Sequence, residues 1–244
     1  MIKLGVLGST NGTDLQAVLD SIASGELNGE VSVVLSNRKK AYILERAKNY
    51  NIPTFFLSHK EKPREEFDAE MTAILKEHAV DLVLLIGFMR ILSSKFCQEW
   101  QDRLLNVHPS LLPKYAGGMD TNVHQDVIIN GDTETGCTIH FVTDEVDEGP
   151  ILIQKKCNVE PDETVDTLKT KVQKLEGMAF IEAIQLIQNL FLIHIPEPTR
   201  RYAIPYAVPS LKKKNNYSTS LLPHTTNLSL LPSSSCNIST QPNY

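Results

Sequence analysis

The chain has 244 residues, a formal net charge of −5, an apolar fraction of 41% and a charged fraction of 22%. These values fit an ordinary globular protein and argue against a general nucleic-acid or membrane-surface binder, whose surface would be basic. The longest apolar run, residues 82–86, is too short for a bilayer, and the first eight residues lack a signal peptide's basic segment and cleavage site, so a cytoplasmic protein is expected.

In chain order the pattern alternates strand and helix. Residues 3–7 read as a strand, a loop of small polar residues follows, and Leu15, Val18, Leu19 and Ile22 mark one face of a helix. Residues 31–36 read as a second strand, 42–50 as a helix and 54–57 as a third strand. Phe67, Met71, Ile74, Leu75 and His78 form the next apolar stripe. Residues 80–86, apolar except for Asp81, read as a central strand covered on both faces. Residues 104–108 complete a doubly wound α/β domain whose sheet is mostly parallel and flanked by helices. After Asn130-Gly131-Asp132 the rhythm changes. Residues 138–143 and 151–159 read as two strands around a turn over 145–150. Residues 164–189 then form one long helix, with Val165, Leu168, Val172, Leu175 and Phe180 inward.

A domain over 1–195 is therefore expected, followed by an irregular or disordered extension over 196–244. That stretch holds 7 of the 13 prolines and no glycine, and its five basic residues face one acidic residue. Cys97, Cys137, Cys157 and Cys236 are scattered singly, without Cys-x-x-Cys or histidines at zinc spacing, so reduced thiols and no metal are expected.

The loop Gly8-Ser9-Thr10-Asn11-Gly12-Thr13-Asp14 leads into a helix N-terminus. Converging backbone N–H groups there could take an anion, or the loop could be only the tight turn that such a fold needs. It carries neither the dinucleotide fingerprint nor the P-loop Gly-Lys-Ser/Thr. Asp14 would repel a phosphate unless engaged as the helix N-cap.

Chemistry is most visible at the strand over 104–108. Strand side chains alternate, so Leu105 and Val107 face one way while Asn106 and His108 face the other, and Pro109 ends the ladder. An amide and an imidazole side by side suit acyl transfer, which needs a carbonyl polariser and a proton carrier. Asp144-Glu145-Val146-Asp147-Glu148-Gly149-Pro150 reads alone as a solvated hairpin tip. Beside His108, one of its carboxylates would stabilise an imidazolium and orient a water.

Asn106-Val107-His108-Pro109-Ser110-Leu111-Leu112-Pro113 resembles the signature of the folate-dependent formyltransferase superfamily. The similarity runs from about residue 1 to 190. It includes Ser36-Asn37, Gly87-Phe88-Met89-Arg90-Ile91-Leu92 and the stretch from His140 to Asp147. Within the superfamily the chain is most similar to the family that formylates phosphoribosylglycinamide in purine synthesis. The resemblance implies a formyltransferase-like fold with a Rossmann-type N-terminal half and a catalytic trio of Asn106, His108 and Asp147, with Asp147 rather than Asp144 as the matching aspartate. It implies 10-formyltetrahydrofolate as co-substrate, lying against Met89, Arg90, Ile91, Leu92 and Asn106, with Arg64 at the pocket's edge. The substrate phosphate would rest on the N–H groups of Gly12, Thr13 and Asp14, and Glu176 would reach the ribose hydroxyls. No metal, nucleic acid or membrane takes part, the partners are small molecules, and the chain would be a monomer or homodimer.

The chain departs from the family's pattern in two places on the nucleotide side. Gly12-Thr13-Asp14 replaces the common Gly-Ser-Asn, and the stretch over 116–124 is longer than usual, read here as a loop. An alternative is a formyltransferase or deformylase with another acceptor. A deformylase would be expected to carry a domain before the first strand. A formyltransferase acting on aminoacyl-tRNA would be expected to carry a C-terminal β-barrel. A further alternative is a catalytically silent nucleotide- or folate-binding module.

Overall fold

The computed structural model describes residues 1–118 and 120–194; of these, the side chains of 120, 121 and 191–194 are outside the description. The extension expected over 196–244, its boundary at 195 and Cys236 lie outside the described residues.

The strands are β1 (Ile2–Gly8), β2 (Gly29–Ser36), β3 (Thr54–Phe56), β4 (Leu82–Ile86), β5 (Leu104–His108), β6 (Glu134–Phe141) and β7 (Ile151–Asn158). The helices are α1 (Thr13–Ala23), α2 (Tyr42–Asn49), α3 (Arg64–Glu77), α4 (Ser94–Glu99), α5 (Asp120–Ile129) and α6 (Val165–His194). One seven-stranded sheet runs in the order β3-β2-β1-β4-β5-β6-β7. The pairings among β1 to β5 are parallel, and β6 and β7 add antiparallel strands at one edge. This is the doubly wound, mostly parallel sheet that the alternation predicts.

Each face of the sheet is covered because its strands are apolar on both sides. All five residues of β4 are buried. On one face, Leu4, Val6, Leu84 and Leu105 pack with Leu15 and Val18 of α1, Ile43 of α2, Val127 of α5 and Phe180 of α6. On the other, Leu7, Val83 and Leu104 pack with Phe67 and Met71 of α3 and Phe96 and Trp100 around α4. At about 25 cal/mol per Å2 of apolar surface, each fully buried side chain of this kind contributes roughly 2 kcal/mol.

Several segments differ from the sequence pattern: α4 is not among the expected elements, β6 spans Glu134–Phe141 rather than 138–143, and α6 runs on to His194 rather than ending at 189. Strand β4 starts at Leu82 rather than at residue 80, because Ala79 (φ 51°) and the Val80 N–H, bonded to the Leu75 carbonyl, close the C-terminus of α3. The stretch over 116–124, read as a loop, is partly helical: α5 begins at Asp120 and buries His124 completely. Polar residues with no clear 3.6 period hid that start. Among the described residues no helix is long and apolar enough to cross a membrane.

The order of strands reverses between β1 and β4, since β2 and β3 lie to one side and β5 to the other. The carboxyl ends of such strands leave a crevice where their loops part, the usual ligand position in an open α/β sheet.

Candidate active site

At that crevice lies a cleft of about 670 Å3, within the range of small-molecule sites. Its walls come from the loop before α1, the segment after β4, the end of β5, the loop between β6 and β7, and one face of α6.

Strand alternation places the central groups. Leu105 and Val107 pack into the core beneath α1 and α6, so Asn106 and His108 share the opposite side. In the antiparallel ladder with β6, Asn106 stands opposite His140 and His108 opposite Thr138. Side chains directly opposite one another project from the same face of a sheet. The Asn106 Nδ2 accordingly lies 3.1 Å from the His140 Nε2.

Acceptor-only neighbours fix where the protons sit. The His140 Nδ1 is 2.9 Å from the Phe141 carbonyl oxygen, to which it donates. Its Nε2 then accepts from the Asn106 amide, whose second N–H is left to donate elsewhere. The His108 Nε2 lies 2.9 Å from the Tyr115 carbonyl oxygen, and its Nδ1 lies 3.2 Å from the Asp147 Oδ2. Both ring nitrogens of His108 meet acceptors, so the doubly protonated ring satisfies both. His108 is 3% exposed, which shields this pair from solvent screening.

Asp147 is the hub. Its Oδ2 also accepts the Gly117 N–H at 2.8 Å, and its Oδ1 is 3.5 Å from the His140 Nε2. Burial works against the ionised carboxyl. Hydrogen bonds from His108 and the Gly117 N–H outweigh it and hold Asp147 well below the usual carboxylate range. Asp147 (φ 57°) and Tyr115 (φ 63°) both occupy the left-handed region, at roughly 1–2 kcal/mol each for a residue with a side chain. Charge-assisted hydrogen bonds, roughly 1.5–3 kcal/mol each, offset that strain.

One arm of the cleft is built around the loop before α1. Gly12 (φ 66°) caps the helix in the left-handed conformation, and a Cβ there would meet Ile43 at 2.4 Å. Only glycine lets the loop lie this close to α2. The cap is thus Gly12, not Asp14, which falls in the first turn of α1 and is 6% exposed. Gly12, Thr13 and Asp14 line the cleft, facing Lys169, Gln173 and Glu176. The spacing of these three residues puts them on one face of α6.

The other arm runs along residues 87–92 and 142–146. Ser9 fixes its start: the hydroxyl donates to the Asn37 Oδ1 at 2.6 Å and accepts from the Met89 N–H at 3.0 Å. The Arg90 guanidinium stacks 5.0 Å from the Phe67 ring centre, and its buried Nε makes no hydrogen bond. Cys97 also lines this arm, but burial, followed by the nearby Asp144 charge, pushes its thiol up to about 11, so it stays protonated and donates to the Thr143 carbonyl. Among the described residues no group of three or more His, Cys, Asp or Glu side chains is arranged to hold a metal ion.

Of the residues singled out in the sequence, Asn106, His108, Asp147, Gly12, Thr13, Asp14, Glu176, Met89, Arg90, Ile91 and Leu92 all line this one cleft. Arg64 is not brought into its lining; it opens α3 and stands 3.7 Å from the Glu65 carboxylate. Sequence reasoning missed His140, the Tyr115 carbonyl and the Gly117 N–H. Alternation in β6 could have placed His140 on the side of Thr138, but its partner depends on the register with β5. The two backbone groups leave no trace in side-chain type.

Comparison with known proteins identifies the family. A family model described as formyl transferase matches residues 2–184. The chain is 40% identical over 188 residues to the human trifunctional purine biosynthetic protein adenosine-3, an alignment covering 77% of this chain. It spans only 18% of that relative's length. It is 42% identical over 176 residues to the phosphoribosylglycinamide formyltransferase of Escherichia coli (strain K12), covering 72% of this chain and 82% of that one. The crystal structure of glycinamide ribonucleotide transformylase 1 from Symbiobacterium toebii superposes with a TM-score of 0.74 at 39% identity, over 78% of this chain and 88% of that one. With most of its length matched by the family model, and with a relative 42% identical covered over 82% of its length, the chain belongs to the formyl transferase family.

Proposed function

We propose that this chain transfers the formyl group of 10-formyltetrahydrofolate to the amine of phosphoribosylglycinamide, a step of purine synthesis. The observation that carries this reading is the meeting of Asn106, His108 and Asp147 in one cleft. The same cleft is lined by a helix N-terminus suited to a phosphate and by Arg90, whose buried Nε is unpaired. Helix N-termini favour anions. A buried guanidinium nitrogen without a partner favours a carboxylate-bearing ligand.

The unprotonated acceptor amine attacks the formyl carbon, and negative charge develops on the formyl oxygen. The free N–H of Asn106 donates to that oxygen, an effect worth roughly 3 kcal/mol in comparable sites. His140 holds the amide so that its nitrogen, not its oxygen, faces the reaction. His108, whose two ring N–H groups are committed to the Tyr115 carbonyl and to Asp147, supports the developing oxyanion through the charge of its doubly protonated ring rather than through a hydrogen bond. Asp147 keeps that ring charged. The proton leaving the amine passes, through a water held by Asp147, to the folate nitrogen as its bond to the formyl carbon breaks. The products are the formylated amine and tetrahydrofolate.

The Gly12, Thr13 and Asp14 N–H groups take the phosphate and Glu176 takes the ribose hydroxyls. Met89, Arg90, Ile91 and Leu92 hold the folate, with Arg64 reaching its outer end only from beyond the cleft. The partners are small, water-soluble molecules, the setting is cytoplasmic, and the active unit is a monomer or homodimer. The test is to mix the purified chain with both substrates and follow tetrahydrofolate release. Release that depends on phosphoribosylglycinamide supports the reading; release with water or another amine instead rules out this acceptor.

A further inference from the structure

We propose that Asp132 and the Tyr115 hydroxyl form a remote anchor that positions the His108–Asp147 pair, making both of them positioning residues for the reaction proposed above, on which this inference rests.

The short segment over 114–118 delivers two backbone groups to the pair. The Tyr115 carbonyl accepts from the His108 Nε2 at 2.9 Å, and the Gly117 N–H donates to the Asp147 Oδ2 at 2.8 Å. The same carbonyl also accepts the Gly118 N–H at 3.1 Å. Aiming it this way requires the left-handed backbone at Tyr115 (φ 63°), which a residue with a ring keeps only when its surroundings over-determine it.

What over-determines it lies at the far end of the tyrosine side chain. The Tyr115 hydroxyl donates to the Asp132 Oδ2 at 2.8 Å and accepts from the Asn130 Nδ2 at 2.9 Å, so its hydrogen-bonding capacity is used at both the proton and a lone pair. Asp132 in turn is fixed by the end of α5. The Asp132 N–H bonds to the Val127 carbonyl and the Gly131 N–H to the Ile128 carbonyl, with Gly131 left-handed, the pattern that closes a helix C-terminus. A carboxylate at the negative end of a helix is locally unfavourable. The Lys114 ammonium at 2.5 Å, and then the Tyr115 hydroxyl, nevertheless hold its carboxyl below the usual range. A charge tolerated in such a place is there for what it ties down, and the tie leads through one tyrosine to the catalytic histidine.

The variants are Tyr115→Phe, Asp132→Ala, their combination, and Asp132→Asn, whose amide oxygen can still accept from the tyrosine. Misplacing a catalytic group by a fraction of an ångström costs about tenfold in kcat. Tyr115→Phe and Asp132→Ala should each show about that loss, with both KM values within about twofold. The double variant should be no worse than either single one, because both remove the same bond. Asp132→Asn should recover most of kcat. In 15N NMR spectra of the unliganded protein, the His108 Nε2 signal should move in Tyr115→Phe.

Unchanged kcat in Tyr115→Phe, a loss carried by KM alone, losses that multiply, or an unmoved His108 signal each overturn the anchor. The NMR arm needs no substrate. If the wild-type chain fails to formylate the acceptor, the proposed function falls while this signal still decides the anchor.

Discussion

The Asn106 amide nitrogen and the His140 Nε2 stand 3.1 Å apart as direct partners across the β5–β6 ladder. Because the His140 Nδ1 is committed to the Phe141 carbonyl, the histidine offers Asn106 a lone pair and so dictates which end of the amide faces the formyl oxygen. An amide turned the other way would present a second negative dipole to a developing anion.

His140→Ala should therefore lower kcat by roughly tenfold while both KM values stay within about twofold. His140→Gln, whose side-chain oxygen can accept from the Asn106 amide, should restore most of it. In an Asn106→Ala background, itself down by about 100-fold, His140→Ala should add little. Steady-state kinetics of the four variants check this. Multiplying losses would mean that His140 acts by some other route.

Asp147 carries the pH dependence. Burial raises its carboxyl, but hydrogen bonds from His108 and the Gly117 N–H overcome that and hold it well below its ordinary value of 3.8. The folded state therefore binds this proton more weakly than the unfolded chain does. The resulting stabilisation is complete above about pH 5 and is lost as the pH falls through and below about 4. Asp147→Asn removes the carboxylate. The melting-temperature gap between wild type and variant should be widest near neutrality and narrow on acidification from about pH 5 to 3. A gap that stays constant over that range would show that the carboxylate is not preferentially ionised in the fold. The same variant should lose at least about 100-fold in kcat.

Asp14 is the residue at odds with a phosphate arm. It is 6% exposed, lines the cleft and lies one residue beyond Thr13 in the first turn of α1. A carboxylate within about 5 Å of a phosphate opposes its binding. Asp14→Asn should lower the KM for the phosphorylated acceptor several-fold, leave the KM for the folate unchanged, and have no effect with an acceptor lacking the phosphate. Parallel KM determinations on the two acceptors decide it. Equal changes for both would place Asp14 away from the phosphate.

The fold was legible because its signals are local. The apolar run over 82–86 and the stripe of Phe67, Met71 and Leu75 mark a buried strand and its covering helix without reference to anything distant. Asn106 and His108 were legible for the same reason, since alternation within one strand puts them together. What escaped depends on register and backbone. His140 meets Asn106 only because β6 runs antiparallel to β5 in that alignment. The Tyr115 carbonyl and the Gly117 N–H act through atoms that every residue has. The helix α5 was hidden because its polar first turn follows Gly117-Gly118, which reads as a loop.

The central claim is transfer of an intact formyl group to one particular amine, and the measurement closest to it follows that group's carbon. The chain is incubated with 10-formyltetrahydrofolate carrying 13C in the formyl group, with and without phosphoribosylglycinamide, and the label is followed by NMR. The account predicts that the label appears as a formamide on the acceptor, that it does so only when the acceptor is present, and that Asp147→Asn suppresses it. Label appearing as free formate at the same rate with or without the acceptor would contradict it.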